Sequence, residues 1–218
     1  YDKRLAVYTR ADLLVIDAGL MFPDDYMPGV DLVIPDFTYL KENEEKIRGI
    51  ILTHGHEDHI GAVPFFLKQF PVPVFGTGFT LGLLEEKLKE HSLIKKADLR
   101  QIRAGDVTRL GPFQVEYIRV NHSIVDGVGL AIETPEGILI HSGDFRIDPT
   151  PVDGEFTDLI RFAHFGEQGV LALFSDSTNA EKEGYTLSEK DVKKTLEDLF
   201  QSSKGRLIVA SFASNITR

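Results

Sequence analysis

Short apolar runs alternate with amphipathic stretches along most of the chain, and each kind predicts its own element. Leu5–Tyr8 and Leu13–Asp17 are compact β-rich runs separated by polar residues, the pattern of two paired strands around a turn. Residues Ala18–Asp36 form a long loop rich in Pro, Gly and Asp, and loops of that length inside a compact domain are often functional. Phe37–Ile47 is expected to be a short helix and Gly49–Thr53 a buried strand. Ile60–Phe70 places Ile60, Val63, Phe66 and Leu67 on one helical face, and Val72–Phe75 is a strand. In Thr80–His91, Leu81, Leu84 and Leu88 face inward, with Glu85, Glu86 and Lys89 outward.

The middle of the chain is mostly strand: Leu99–Ile102, Phe113–Val120, Val128–Glu133 and Ile138–His141, the last two joined by a turn at Pro135–Gly137. Val170–Ser175 is a further buried strand. After Gly184 the character changes. Ser188 followed by Asp191 resembles a helix start, Val192, Leu196, Leu199 and Phe200 follow at helical spacing, and Arg206–Ser211 is a strand. This last helix and strand are the expected start of a second α/β unit, so residues 1–184 form one domain and 185–218 the beginning of another.

Composition narrows the chemistry. The 218 residues are 42% hydrophobic and 27% charged, enough to bury a sizeable core. No run approaches the roughly 20 apolar residues of a membrane span, so no membrane partner is expected, and no signal-peptide pattern is present. There is no cysteine, which excludes disulfides and thiolate metal sites and makes a cytoplasmic location the default expectation. A net charge of −10 counts against a simple nucleic-acid-binding module, whose affinity comes from neutralising phosphates. It leaves room for an enzyme in which bound metal ions supply the positive charge.

The densest chemistry is Thr53-His54-Gly55-His56-Glu57-Asp58-His59, directly after a strand. His54 and His56 alternate, so extended backbone turns both imidazoles to one side. Asp58 and His59 follow the turn and can face a second ion. Imidazole and carboxylate without sulfur suit zinc or manganese. A polar loop with solvent-facing histidines is the bland alternative, and three histidines and an aspartate at this spacing seldom arise that way.

His122 and Asp144 each follow a strand, where the loops of a layered β protein meet. A lone histidine is more often a surface residue than a ligand, and an aspartate beside glycine is commonly a turn residue. Asp144 is also placed to bridge two ions. Asp17 ends a strand, where it either accepts a hydrogen bond from a ligand or caps the turn. Glu57 points away between ligands, His91 and His164 are structural, and His141 is expected on the strand face opposite an inward neighbour.

H-x-H-x-D-H after a strand, with a later His and a later Asp, resembles the metallo-β-lactamase superfamily. The flanks resemble the ribonuclease J family within it: Asp17–Pro23, Gly29–Asp36, His54–Pro64, Ser142–Asp148, Asp176–Asn179 and Ser211–Asn215. The resemblance spans nearly the whole chain. It implies an αββα sandwich (α/β class) interrupted by a β-CASP domain beginning near Gly184. It also implies that His54, His56 and His122 hold one of two divalent ions, zinc or else manganese, that Asp58 and His59 hold the other, that Asp144 bridges, and that Asp17 is the superfamily's first-motif aspartate. The partner would be RNA, cut internally or trimmed from a 5′-monophosphorylated end in maturation and decay, by a homo-oligomer. Asp58, beside the attacking water, is the expected catalytic group that orients it and takes its proton.

Two departures stand out. Tyr1–Thr9 occupies the place of the family's glycine-rich segment, and the family's later histidines lie past Arg218, so the chain is expected to be part of a longer polypeptide. The rivals are a hydrolase of small esters, thioesters, lactones or lactams on the same fold, and an inactive scaffold in an RNA-processing complex. The α/β unit after Gly184 speaks against the first, and the six retained ligands speak against the second.

Overall fold

A computed structural model describes residues 5–9 and 11–212. The departure at Tyr1–Thr9 and the resemblance at Ser211–Asn215 therefore lie partly outside the described residues. In chain order the strands begin with β1 (Leu5–Tyr8) and β2 (Leu13–Ile16). The short helix α1 (Thr38–Lys41) leads to β3 (Ile47–Ile51), followed by α2 (Glu57–Ile60), α3 (Val63–Gln69), β4 (Val74–Gly76) and α4 (Gly78–Glu90). Then come β5 (Leu99–Gln101), β6 (Val107–Leu110), β7 (Phe113–Arg119), β8 (Val128–Thr134) and β9 (Gly137–His141). The last elements are α5 (Leu159–Gln168), β10 (Val170–Phe174) and α6 (Glu189–Ser202).

Among the described residues the strands make two five-stranded sheets, ordered β1-β2-β3-β4-β5 and β10-β9-β8-β7-β6. In the first, only β1–β2 is antiparallel; in the second, only β10–β9 is parallel. Alternation along β2 sets the layering, because successive side chains leave a strand on opposite faces. Leu13 and Val15 pack with Val63, Phe66, Leu81, Leu84 and Leu88 of α3 and α4. Leu14 and Ile16 pack with Val115, Tyr117, Leu130 and Ile132 of the second sheet. On that sheet's outer face, Ile118, Ala131 and Ile140 meet Phe165 of α5. Helix, sheet, sheet and helix are thus stacked in four layers, the αββα sandwich anticipated above.

Several local expectations shift. The helix foreseen over Phe37–Ile47 breaks into α1 and a 3₁₀ turn at Glu44–Lys46, and Ile47 already belongs to β3. Asn43 donates from its side chain to Tyr39 O (3.0 Å), closing the helix as Asn side chains do when they compete with the backbone. Ile60–Phe70 divides at Gly61-Ala62, because Ala62 N donates to Ala18 O (2.8 Å) across the loop. Pro64, which has no N–H to lose, sits in the first turn of α3. β6 was not anticipated. It is a short V-T-R-L stretch whose partner β7 supplies its order.

Two strands behave differently from expectation at the far end. Val170–Ser175 was expected to be buried, yet Leu171 and Leu173 are more than 60% exposed. β10 is an edge strand, and among the described residues only β9 pairs with it. Arg206–Ser211 is not a strand; it has no partner strand among the described residues, and extended backbone is stabilised by the ladder it joins. The amphipathic helix from Ser188 is present as α6, with Ser188 capping by accepting from Lys190 N (3.3 Å), and its apolar side chains Val192, Leu196, Leu199 and Phe200 are exposed.

Candidate metal centre

The site lies where the carboxyl ends of β2 and β3 meet the loops after β7 and β9. From Gly49 onward β3 is buried on both faces, and it runs straight into Leu52 and Thr53, which are fully buried. His56 remains extended (ψ 151°) before α2 begins, so His54 and His56 leave the same side of the chain. The long loop braces that turn. Ala18 N donates to His59 O (2.8 Å) and Leu20 N to Glu57 O (3.2 Å). Gly19 permits this contact, because a Cβ there would stand 1.7 Å from the Asp58 carbonyl oxygen. On the other side, Gly143 turns with φ +61°, where a Cβ would stand 2.7 Å from Val128 O, and leads into Asp144.

Five of the six candidate ligands converge in two overlapping groups, with Asp58 at their edge. His54 Nε2 and His122 Nε2 lie 3.0 and 3.2 Å from His56 Nδ1. Tetrahedral zinc with nitrogens at roughly 2.0–2.1 Å separates neighbouring ligand atoms by about 3.3 Å, so this trio fits one ion. A second group, His54, His59 and Asp144, has all its donor atoms within 4.8 Å of one another. Asp144 faces both groups: Oδ1 is 3.4 Å from His59 Nε2 and Oδ2 is 3.8 Å from His122 Nε2. Asp58 is the most open of the set, with its side chain 47% exposed and Oδ2 4.0 Å from His59 Nε2. The donor set, imidazole and carboxylate with no sulfur, suits a divalent ion.

Hydrogen bonds orient the rings. Asp17 takes a left-handed conformation (φ +58°) at the end of β2, and its side chain is almost wholly buried. It accepts from Thr53 N and Thr53 Oγ1 (2.8 Å each) and from His59 Nδ1 (2.8 Å). With Nδ1–H committed to Asp17, His59 Nε2 is the ring atom that faces the cluster. Thr53 Oγ1 also lies 3.1 Å from His54 Nδ1, which leaves His54 Nε2 as the open donor atom. Asp17 thus does more than cap a turn.

The charges follow from these partners. Burial drives His54 well below its ordinary pKa, helped by the neighbouring His59 and His122. Burial likewise pushes His122 down to about 4, against the opposing pull of Asp144. For His59 burial is outweighed by Asp17 and Asp144, which lift it to about 9. The ring that the carboxylates hold is the basic one and would release its Nε2 proton on binding an ion, while His54 and His122 are neutral imidazoles, the form that ligates.

Thr53 and Ser142 carry no sequence signal of their own, and His141 departs from its expected face. Thr53 orders three polar partners, and its place directly before the histidines was the available clue. Ser142 accepts from Asp176 N (2.8 Å) and donates to Gly143 O (2.6 Å), joining the Asp144 turn to the next loop. His141 faces inward after all: Ile140 packs toward α5 and Leu139 between the sheets, so His141 shares the inner face. There its Nδ1 accepts from Gly143 N (3.1 Å), and burial lowers its pKa while Asp17 and Asp144 oppose. Glu57 points away, as expected, and pairs with Lys87. His91 and His164 lie apart, beside Lys68 and Gln168.

The chain belongs to the metallo-β-lactamase superfamily, whose profile matches residues 5–198. Within it, the chain is similar to ribonuclease J. It is 51% identical to ribonuclease J of Synechocystis sp. over 219 residues, covering 99% of this chain and 34% of that protein. Identity to ribonuclease J of Helicobacter pylori is 46% over 215 residues, covering 98% of this chain and 31% of that protein. The chain thus spans about a third of the length of these curated relatives. Among solved structures, a protein of unknown function from Enterococcus faecalis V583 aligns over 98% of this chain and 58% of its own length, with a TM-score of 0.69 at 17% identity, a likeness of fold alone. No helix among the described residues is long and apolar enough to cross a membrane.

Proposed function

We propose that this chain carries the metal centre of a metal-dependent ribonuclease that hydrolyses RNA phosphodiesters, acting on internal bonds, on a 5′ end, or on both. The carrying observation is the split carboxylate of Asp144, one oxygen toward His59 and the other toward His122. That arrangement suits two ions, with His54, His56 and His122 holding one, His59 and Asp58 the other, and Asp144 between them. Zinc is the favoured metal and manganese the alternative. When bound, two such ions neutralise charge on the phosphate and make a water acidic enough to attack.

The protein's own contributions follow from the geometry. Asp58 is exposed beside the cluster, where it orients the attacking water and takes its proton. Asp17 holds His59 in the ligating tautomer, and the buried setting of His54 and His59 keeps the donor atoms fixed. Residues 1–184 would form the metallo-β-lactamase part and 185–218 the start of a β-CASP domain. An RNA substrate, rather than a small ester or lactam, is supported by the 51% identity to the Synechocystis ribonuclease J. A cytoplasmic location and self-association accompany this proposal and rest on the family resemblance.

The test uses the full-length polypeptide with 5′-labelled monophosphorylated and triphosphorylated RNA, with zinc or manganese, and with Asp58→Ala. Labelled mononucleotide released from the monophosphorylated strand alone, and abolished in the variant, establishes 5′-end trimming. Internal fragments from both strands establish endonucleolytic cutting. Metal bound with neither RNA cut overturns the ribonuclease assignment.

A further inference from the structure

Arg146 stands two residues after Asp144 and is tied in two directions. Its backbone binds the other ligand loop: Arg146 N donates to Asn121 O (2.7 Å), one residue before His122. Thr157 Oγ1 donates to Arg146 O (2.9 Å) and accepts from Asn121 N (2.9 Å). Its side chain runs toward α6. Nη2 donates to Leu187 O (2.9 Å), and Nη1 lies 3.4 Å from Glu189 Oε1.

Asp148 completes the cluster. Its side chain is 1% exposed, 3.5 Å from Arg146 Nη2, and accepts from Thr150 N (2.9 Å) and from Glu189 N (2.8 Å), the first residue of α6. Glu189 reaches back to accept from Val152 N (2.9 Å), and Ser188 Oγ donates to Thr150 O (3.2 Å). The segment 146–152 and the start of α6 are thus joined from both sides. A cavity of about 420 Å³ lies beside them, lined in part by Phe145, Arg146, Asp148, Asp176, Tyr185 and Ser188.

Capping alone does not call for this arrangement. Ser188 already caps α6, and a helix start needs no arginine, since cations are unfavourable at that end. Nor is stability a sufficient account, because buried ion clusters contribute little of it compared with apolar packing. Their best-attested use is to fix one element in register on another.

We propose that Arg146, Asp148 and Glu189 are positioning residues that fix the start of α6, and whatever it carries, against the two loops that present His122 and Asp144. Resting on the ribonuclease reading above, this gives the cluster a defined role, in which RNA gripped beyond residue 188 meets the metal centre in a single register. None of the three belongs to the candidate ligand groups. A substrate too small to reach past the metal centre has no use for them.

The test compares Arg146→Met, Glu189→Gln and their combination in the full-length polypeptide. Each single variant is expected to speed amide hydrogen exchange at least tenfold both in 145–152 and in 187–192, with the double variant no worse than the weaker single one. Arg146→Lys recovers part of the protection. On monophosphorylated RNA the KM rises about tenfold, while metal content and turnover of bis(p-nitrophenyl) phosphate stay within twofold. Faster exchange confined to the segment that carries the substitution overturns the proposal. So does a parallel loss of metal and of small-ester hydrolysis, which marks an ordinary structural role. If the unaltered protein cuts no RNA, the ribonuclease assignment fails by itself, and two-sided exchange still decides whether the cluster joins the two segments.

Discussion

Asp17 Oδ2 and His59 Nδ1 lie 2.8 Å apart, with both side chains no more than 4% exposed, at the buried root of the metal centre. The pair joins the end of β2 to the histidine of α2 and determines which ring nitrogen of His59 is available. Carboxylates that hold a ligating histidine typically change metal affinity by about 10–100-fold when removed.

Asp17→Asn is therefore expected to weaken metal binding by about 10–100-fold while leaving the fold intact. Asn suits the test because it tolerates the left-handed backbone that Asp17 adopts at φ +58°. Chelator competition measures the loss, and unchanged affinity would mean that Asp17 only shapes the turn.

Gly19→Ala places a Cβ 1.7 Å from the Asp58 carbonyl oxygen, a backbone atom that cannot rotate aside. Destabilisation of about 3 kcal/mol is expected, at the upper end of overpacking costs. Gly82→Ala in α4, with nothing within 4 Å of the new methyl, should instead stabilise by about 0.5–1 kcal/mol. Urea midpoints of the two variants would decide, and equal effects would refute the close-approach account.

Zinc at about 100 times its dissociation constant should raise unfolding stability by about 2.7 kcal/mol, because the folded site binds what the unfolded chain does not. Asp144→Ala, which removes the oxygens facing both His59 and His122, is expected to lose most of that increment. Thermal unfolding with and without zinc provides the comparison. A variant that responds as fully as the parent would show that Asp144 is no ligand.

Asp148 supplies a pH signature. Burial opposes its charge, but the Glu189 and Thr150 N–H groups, the Ser188 hydroxyl and Arg146 together hold it below its ordinary value of 3.8. A depressed folded-state pKa means the contribution is complete above the unfolded value and is lost as pH falls through the lower folded one. The stability gap between the parent and Asp148→Asn should stay level from about pH 7 to about pH 5 and close below about pH 4. A gap of the same size at about pH 3 and about pH 7 would remove Asp148 from the acid response.

Much of the sandwich was legible because its strands are continuous apolar runs and its helices keep their period. Leu81, Leu84 and Leu88 pointed inward as their spacing required, and β2, β3, β7, β8 and β9 fall within about two residues of their expected places. What periodicity misjudged was context. Val170–Phe174 is as apolar as β3, yet it lies at an edge with much of its surface exposed. β6 is too short and too polar to stand out before β7 pairs with it.

The sequence by itself determined the chemistry available: four candidate ligands packed between positions 54 and 59 at a strand end, no thiolate, and a histidine and an aspartate after later strands. Local spacing suffices there, because two residues apart on extended backbone share a side. Only the tertiary structure decided how His122 and Asp144 join them, since those residues stand on the second sheet and reach His56 and His59 through the packing of one sheet on the other. It also decided which face His141 takes, which nitrogen of His59 faces the cluster, and how the Arg146 side chain reaches Leu187 just before α6. Such relations depend on distances between chain-distant atoms, which are set when the two sheets close over their shared core.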